Sequence, residues 1–241
     1  MYETTSDHPD DGATNRPVPG VDVPTHEYHG ARAALYSALA GVFCYPDEAT
    51  TTELTAPEMR HGIDAAGETL DLERETAALG EALALAELED LQATYTETFG
   101  LPGDDGTYPV VPYEAHYTVR DDIGQKQRRI AKVAGAVEAL GFTVADTFDE
   151  RQDHVALELE LLQLLAGWRA VAGRTDDLED AESVAKIEAT LLADHLVDFV
   201  PPFANAVREA TDEPVYVTAA DLADTLVVAD HRRLAADGGE P

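Results

Sequence analysis

Cations are scarce in this chain. Of 241 residues only 16 are Lys or Arg, against 48 Asp or Glu, and the formal charge is −32. Lysine is nearly absent, with Lys126, Lys132 and Lys186 standing beside thirteen arginines. Binding a phosphate backbone needs a basic face, so free nucleic acid is excluded as a partner, and anionic membrane surfaces with it. Cysteine is lacking too. The lone Cys44 excludes an internal disulfide and any multi-cysteine metal site. It ends the apolar run Leu39-Ala-Gly-Val-Phe-Cys and is expected to be a buried small hydrophobe. No stretch approaches the ~18 consecutive apolar residues of a membrane span. No basic start followed by an apolar core marks a secretory signal, so the expected location is cytoplasmic. A Gly-rich phosphate loop, His-Glu-x-x-His and Gly-x-Ser-x-Gly are all missing, which leaves an enzyme little to work with.

The acidic residues run through every segment instead of forming a tail. On a folded surface of roughly 10,500 Å², 48 carboxylates sit about 15 Å apart. That spacing exceeds the Debye length of about 10 Å at 0.1 M salt, and far exceeds about 3 Å at 1 M. Summed repulsion at low salt still opposes compaction. The expectation is a halophilic protein, solvated for a salt-rich cytoplasm. An acidic nucleic-acid mimic is the competing reading, but a mimic would concentrate its charge on one face.

What is present is mainly helical periodicity. Residues 1–25 are rich in Asp, Thr, Pro and Gly and are expected to be a disordered acidic tail. Residues 26–237 are expected to form one all-helical domain. Leu35, Leu39, Val42 and Phe43 lie at helical spacing ahead of Pro46. Between 47 and 82 come two or three short amphipathic pieces, punctuated by Pro57 and Gly67. Leu88, Leu91, Tyr95 and Phe99 form a stripe on a helix that stops at Gly100. Residues 100–112 read as a loop whose apolar, aromatic second half favours ordered packing. A helix over 120–140 closes at Gly141. Thr147 and Glu150 fit a capping box for a helix running to about Gly173. Another helix spans 178–199, until Pro201-Pro202 breaks or kinks it. Residues 214–217 read as a short extended piece, with Thr218 and Asp221 capping a last helix that ends near Ala236. Strand alternation is nearly absent, so the fold class is all-α, a single-domain helical bundle.

Polar residues inside apolar arcs carry the candidate chemistry. On a helical wheel from Asp153, His154 and Glu158 fall within a face made by Leu157, Leu161, Leu165 and Trp168. His195 falls in an arc of Val184, Ile187, Leu191, Leu192, Leu196 and Phe199. Such groups need partners when buried. They are either satisfied core hydrogen bonds or the polar floor of a ligand groove. His26 and His29 share a spacing but lack a third ligand. A small helical metal-binding enzyme using His154 and His195 is therefore the alternative from another class. The one local reversal of charge sets Arg120, Lys126, Arg128, Arg129 and Lys132 against Asp121 and Asp122, and reads as a salt-bridged helix. Arg128-Arg129 is internal and is not itself a twin-arginine export signal.

Several of these segments occur together, in order, in one family. The Tyr95-to-Phe99 helix end, Val111-Pro112-Tyr113-Glu114-Ala115-His116-Tyr117, and Asp153-His154-Val-Ala-Leu-Glu158-Leu resemble the motifs of the TorD/DmsD/NarJ family of molybdoenzyme maturation chaperones. His195-Leu196 through Pro202-Phe203 is similar to that family's later His-Leu segment. Ala115 stands where Ser is common and Phe199 where Trp is common. The resemblance implies an all-α chaperone without catalysis, cofactor or metal of its own. Its implied partners are a molybdopterin oxidoreductase catalytic subunit of the DMSO/TMAO reductase type and that subunit's twin-arginine signal peptide. Nitrate reductase is the alternative client. The client-binding residues it implies are Tyr113, Glu114, His116, Tyr117, Asp153, His154 and Glu158, with Glu114 and Asp153 as arginine acceptors. A monomer and a domain-swapped dimer are both compatible with it.

Overall fold

Helix α1 (Thr25–Phe43) is apolar on nearly every side, and that makes it the centre of the molecule. Its buried residues, from Tyr28 through Leu35, Leu39 and Phe43, cover more than one face. A helix without a polar side must be surrounded by others. A computed structural model of the chain describes residues 25–100, 108–119, 122–139, 141, 150–175 and 178–237. The expected tail, up to residue 24, lies outside the described residues, as do Thr147, Arg120 and Asp121. Against α1 lies α8 (Val155–Thr175), whose first half is also buried all round. Around this pair pack α2 (Glu48–Thr55), α3 (Pro57–Leu70) and α4 (Glu73–Ala84) on one side. The remaining members are α5 (Leu88–Tyr95), the short α6 (Glu114–Thr118), α7 (Ile123–Ala139), α9 (Leu178–Leu191), α10 (Val197–Ala210) and α11 (Pro214–Asp237). The expected all-α bundle is the observed architecture. Among the described residues no helix is long and apolar enough to cross a membrane.

Local chemistry accounts for several helix ends. Asp47 accepts a 2.7 Å bond from the Thr50 amide and caps α2. Pro57 opens α3, where its missing N–H costs nothing. Gly67 does not punctuate the chain as expected. It lies inside α3, where a Cβ would stand 2.0 Å from Thr76 Oγ1, so glycine is what lets α3 and α4 approach. The break comes at Asp71, left-handed at φ 58°. Gly141, expected to close the helix over 120–140, has a positive φ of 76°.

Five other expectations need correction. Helix α8 begins at Val155, not beside Thr147, and His154 Nδ1 accepts from the Ala156 amide at 3.2 Å. The chain runs as helix through Pro201 and Pro202, because Phe199, Val200, Phe203 and Val207 bury on one face and packing outweighs two lost backbone bonds. The irregularity falls just before, in a π-helical turn, Leu192–Leu196, where the Val197 amide reaches back to the Leu192 carbonyl. Residues 214–217 are the first turn of α11 and not an extended piece. Pro214 suits a first helical position, and Thr218 Oγ1 bonds the Pro214 carbonyl at 2.7 Å instead of capping. Ile187 and Trp168, assigned to apolar arcs, are exposed. Cys44 is half-buried, with its thiol pushed up to about 11 mainly by burial.

An aromatic cluster ties the two ends of the sequence together. Phe43 packs on Phe203 at 5.1 Å and Phe99 on Tyr95 at 4.9 Å, with Tyr216 against Phe99 at 5.6 Å. Buried phenols need acceptors. Tyr95 donates to the Phe43 carbonyl at 3.3 Å and Tyr216 to the Leu91 carbonyl at 3.1 Å.

Candidate functional site

Pro112 has no amide hydrogen, and its carbonyl accepts from Val155 at 2.9 Å. Two residues on, the Glu114 amide donates to the Asp153 carbonyl, also at 2.9 Å. These two bonds make an isolated antiparallel bridge between Tyr113 and His154, so segments far apart in sequence enter α6 and α8 side by side. Asp153 extends the clasp, its Oδ2 accepting from the Ala115 amide at 3.1 Å at the start of α6. Arg151 completes that carboxylate's partners at 2.7 Å and places its guanidinium 4.5 Å from the Tyr113 ring centre. The Tyr113 hydroxyl donates to Glu150.

The clasp turns Glu114 inward. Its carboxylate is fully buried and meets His195 Nδ1 at 3.0 Å and Arg129 Nε at 2.5 Å. His195 reaches it from the π-helical turn ahead of α10, and Arg129 from α7. Among the described residues, the expected salt-bridged helix has one bridge, from Arg129, made to α6 and not within α7. Glu158, one turn into α8, is also fully buried. Neither of its oxygens has a hydrogen-bond partner among the described residues, nor does Asp153 Oδ1. Burial, followed by the Glu114 and Asp153 charges, raises the Glu158 carboxyl well above its ordinary range. Burial pushes the His154 imidazole down to about 4.

Of the seven residues expected to bind a client, four are interior: Glu114, Asp153, His154 and Glu158. They come together as one buried polar cluster and not as the lining of an open groove. Tyr113 is half-buried. Tyr117, also half-buried, packs on Phe199 at 5.5 Å as an outlier of the aromatic core, and exposed His116 lies edge-on to it at 4.9 Å. His195 joins the cluster and was visible in sequence as a polar residue in an apolar arc. Among the described residues, one ligand atom each from Glu114, Glu158 and His195 gather within 4.8 Å. His26, His29 and His154 are not in that group. An open cleft of about 230 Å³ lies away from it, between α1, α2 and α8, with Glu53 and Glu160 on its lining.

A second polar cluster escaped the sequence reading. Arg32 on α1, fully buried, is held between Glu188 on α9 at 2.5 Å and Asp230 on α11 at 2.7 Å. Arg169 takes the other Glu188 oxygen at 2.7 Å, and Tyr28 and Tyr36 donate to Asp230 at 3.4 and 2.6 Å. Burial alone would raise the Glu188 carboxyl, but the two arginines outweigh it and hold the group below its ordinary value. The signal was available: Arg32 and Glu188 sit in apolar arcs as plainly as His195 does.

Three comparisons bear on these clusters. The family model described as the nitrate reductase delta subunit matches residues 67–205. The chaperone protein TorD of Vibrio cholerae serotype O1 is 25% identical over 206 residues, covering 83% of this chain and 90% of that one. Among solved structures, a protein from Archaeoglobus fulgidus described as a redox enzyme maturation protein superposes with a TM-score of 0.51 at 20% identity. It covers 82% of this chain and 93% of its own. That last likeness concerns the fold alone.

Proposed function

The chain belongs to the nitrate reductase delta subunit family, the TorD/NarJ group of redox enzyme maturation chaperones, and from that premise we propose that it is a cytoplasmic chaperone for a molybdopterin oxidoreductase of the DMSO/TMAO reductase type. It holds the catalytic subunit's precursor, with its twin-arginine signal peptide, until the cofactor is inserted, and performs no catalysis itself. The observation that carries this reading is the similarity to a TorD chaperone across nearly the whole of both chains.

The buried cluster supplies a physical route. Carboxylates accept a guanidinium bidentately. Glu114 and Asp153 already hold Arg129 and Arg151, each through one nitrogen–oxygen contact. A client arginine therefore enters by exchange with one of these internal arginines. Arg151 is half exposed and Arg129 mostly buried, so exchange at Asp153 is the easier. Tyr113, His116 and Tyr117 form the rim that meets the apolar part of the peptide.

The test is binding of a labelled twin-arginine peptide in molar KCl, where nonspecific attraction to the acidic surface is screened. Glu114→Gln and Asp153→Asn, chosen because alanine would leave cavities at fully buried sites, are expected to weaken binding at least tenfold. A twin-lysine peptide is expected to bind poorly. Retention of neither the peptide nor a molybdoenzyme catalytic subunit would sink the reading. A nitrate reductase client is the second reading, favoured by the description of the matching family. Co-purification with each catalytic subunit in turn decides between the two clients.

A further inference from the structure

We propose that Glu114, Glu158 and His195 form a binding site for one first-row divalent transition-metal ion. Three observations converge on it. One atom from each of these side chains falls within a 4.8 Å span, and all three residues are buried. Glu158 is fully buried and directed into the group, yet both its oxygens lack a hydrogen-bond partner among the described residues. A buried carboxylate in that position needs a cation or a donor. The nearby cations are already assigned. Arg129 is bonded to Glu114 and Arg151 to Asp153, so three buried carboxylates face two guanidiniums, and Glu158 is the one left over. A divalent ion between Glu158, the Glu114 oxygen not held by Arg129, and His195 takes the place of the proton that His195 Nδ1 shares with that oxygen at 3.0 Å, releases it to solvent, and satisfies Glu158.

The donor set selects the ion class. Two carboxylates and an imidazole, with no thiolate, suit Zn²⁺, Mn²⁺, Fe²⁺ or Co²⁺, whereas Mg²⁺ and Ca²⁺ favour oxygen-only shells. Ligand atoms around a tetrahedral ion stand about 3.3 Å apart. Atoms that all lie within 4.8 Å of one another stand near that spacing. The backbone is prepared for it. His195 stands in a π-helical turn, a rare local form that recurs at functional sites, and the Tyr113–His154 bridge fixes Glu114 and the start of α8 relative to each other. In sequence a metal was expected only under the alternative that used His154 and His195, and this triad had no spacing motif because its ligands lie on three separate elements.

The inference stands apart from the chaperone reading, since ion binding can fail while peptide binding succeeds, and the reverse. Full-length protein is stripped with EDTA and dialysed in molar KCl against micromolar Zn²⁺ or Co²⁺, with excess Mg²⁺ to occupy exposed carboxylates. Bound metal is then counted by inductively coupled plasma mass spectrometry. Wild type is expected to retain one ion per chain, with Co²⁺ giving visible d–d absorption bands. Glu158→Gln is expected to retain none, while Asp153→Asn, outside the triad, retains one. If Glu158→Gln does not fold, His195→Gln takes its place in the same assay. Wild type that retains no ion overturns the proposal, and so does a folded Glu158→Gln or His195→Gln protein that retains as much as wild type.

Discussion

Two buried polar clusters meet helix α8, one at its start through Glu158 and one nearer its C-terminal end through Arg169, and they are built to different rules. In the first, Arg32, Glu188, Asp230, Arg169, Tyr28 and Tyr36 close on one another, so that every carboxylate oxygen has a donor. In the second, Glu114 is well partnered, but Glu158 and one oxygen of Asp153 are not. A closed set of charges fixes how helices α1, α9 and α11 meet, and removing any member exposes the rest to desolvation. An open set holds capacity in reserve for a proton, an ion or a ligand group. The first cluster explains how the bundle stays in register. The second is the place to look for what the bundle does.

The sharpest way to break the comparison is to open the closed cluster. Arg32→Met leaves Glu188 and Asp230 in the interior with only Arg169 and two phenols, and should cost about 3–5 kcal/mol of unfolding free energy in denaturant titrations. A loss under about 1 kcal/mol would show that this cluster, too, is loosely held. The next effect is pH-dependent. His154 is held neutral in the fold with its value pushed down to about 4, so its contribution is present above the ordinary imidazole value and is lost as pH falls towards 4. His154→Asn, which keeps an acceptor for the Ala156 amide, should therefore lose about 3 kcal/mol less than wild type between pH 6.5 and pH 4. His29 beside the closed cluster is pushed lower still, to about 2, so its acid loss continues below that window.

Glu158 carries the opposite sign. Its carboxyl is raised in the fold, so its contribution is intact below the ordinary carboxylate value and is lost as pH rises. In metal-free protein, Glu158→Gln should be more stable than wild type by about 1–3 kcal/mol at pH 7–8, with the advantage shrinking towards pH 4.5. Equal stability across that range would mean that Glu158 already has a partner. Smallest of all is Arg151→Ala. Its guanidinium is half exposed, and removing it should cost under about 1 kcal/mol by thermal melts.

Sequence reached the two clusters unequally, for a physical reason. The helices themselves were legible because apolar spacing and breakers such as Pro46 and Pro57 act within a few residues. Glu114, Asp153, His154 and Glu158 were legible through the motifs they share with a family, and His195 through its apolar arc. Burial was foreseen for His154 and Glu158, but the expected groove was not what their pairing produced. A helical wheel tells which face a residue lies on and not which element covers it. The Arg32 network draws on four helices, α1, α8, α9 and α11, so the apolar arcs around Arg32 and Glu188 could announce burial but not that the two meet. The errors at Pro201-Pro202 and at residues 214–217 have one source: local propensity was weighed where tertiary packing decided.

The bridge between Tyr113 and His154 has one more consequence. It closes the chain between α6 and α8 into a loop whose ends are pinned by two backbone bonds and an aspartate cap. Within that loop sits α7, which rests mainly on α6. Doubling the length of a closed loop costs only about 0.6 kcal/mol. With Arg129 kept on Glu114 and Val133 kept in the core, the rest of the stretch between residues 119 and 150 can thus lengthen, shorten or change its surface chemistry while Glu114 and the start of α8 keep their places. It is a cassette on a fixed mount, where a chaperone of this build can be fitted to a new client without redesigning its interior.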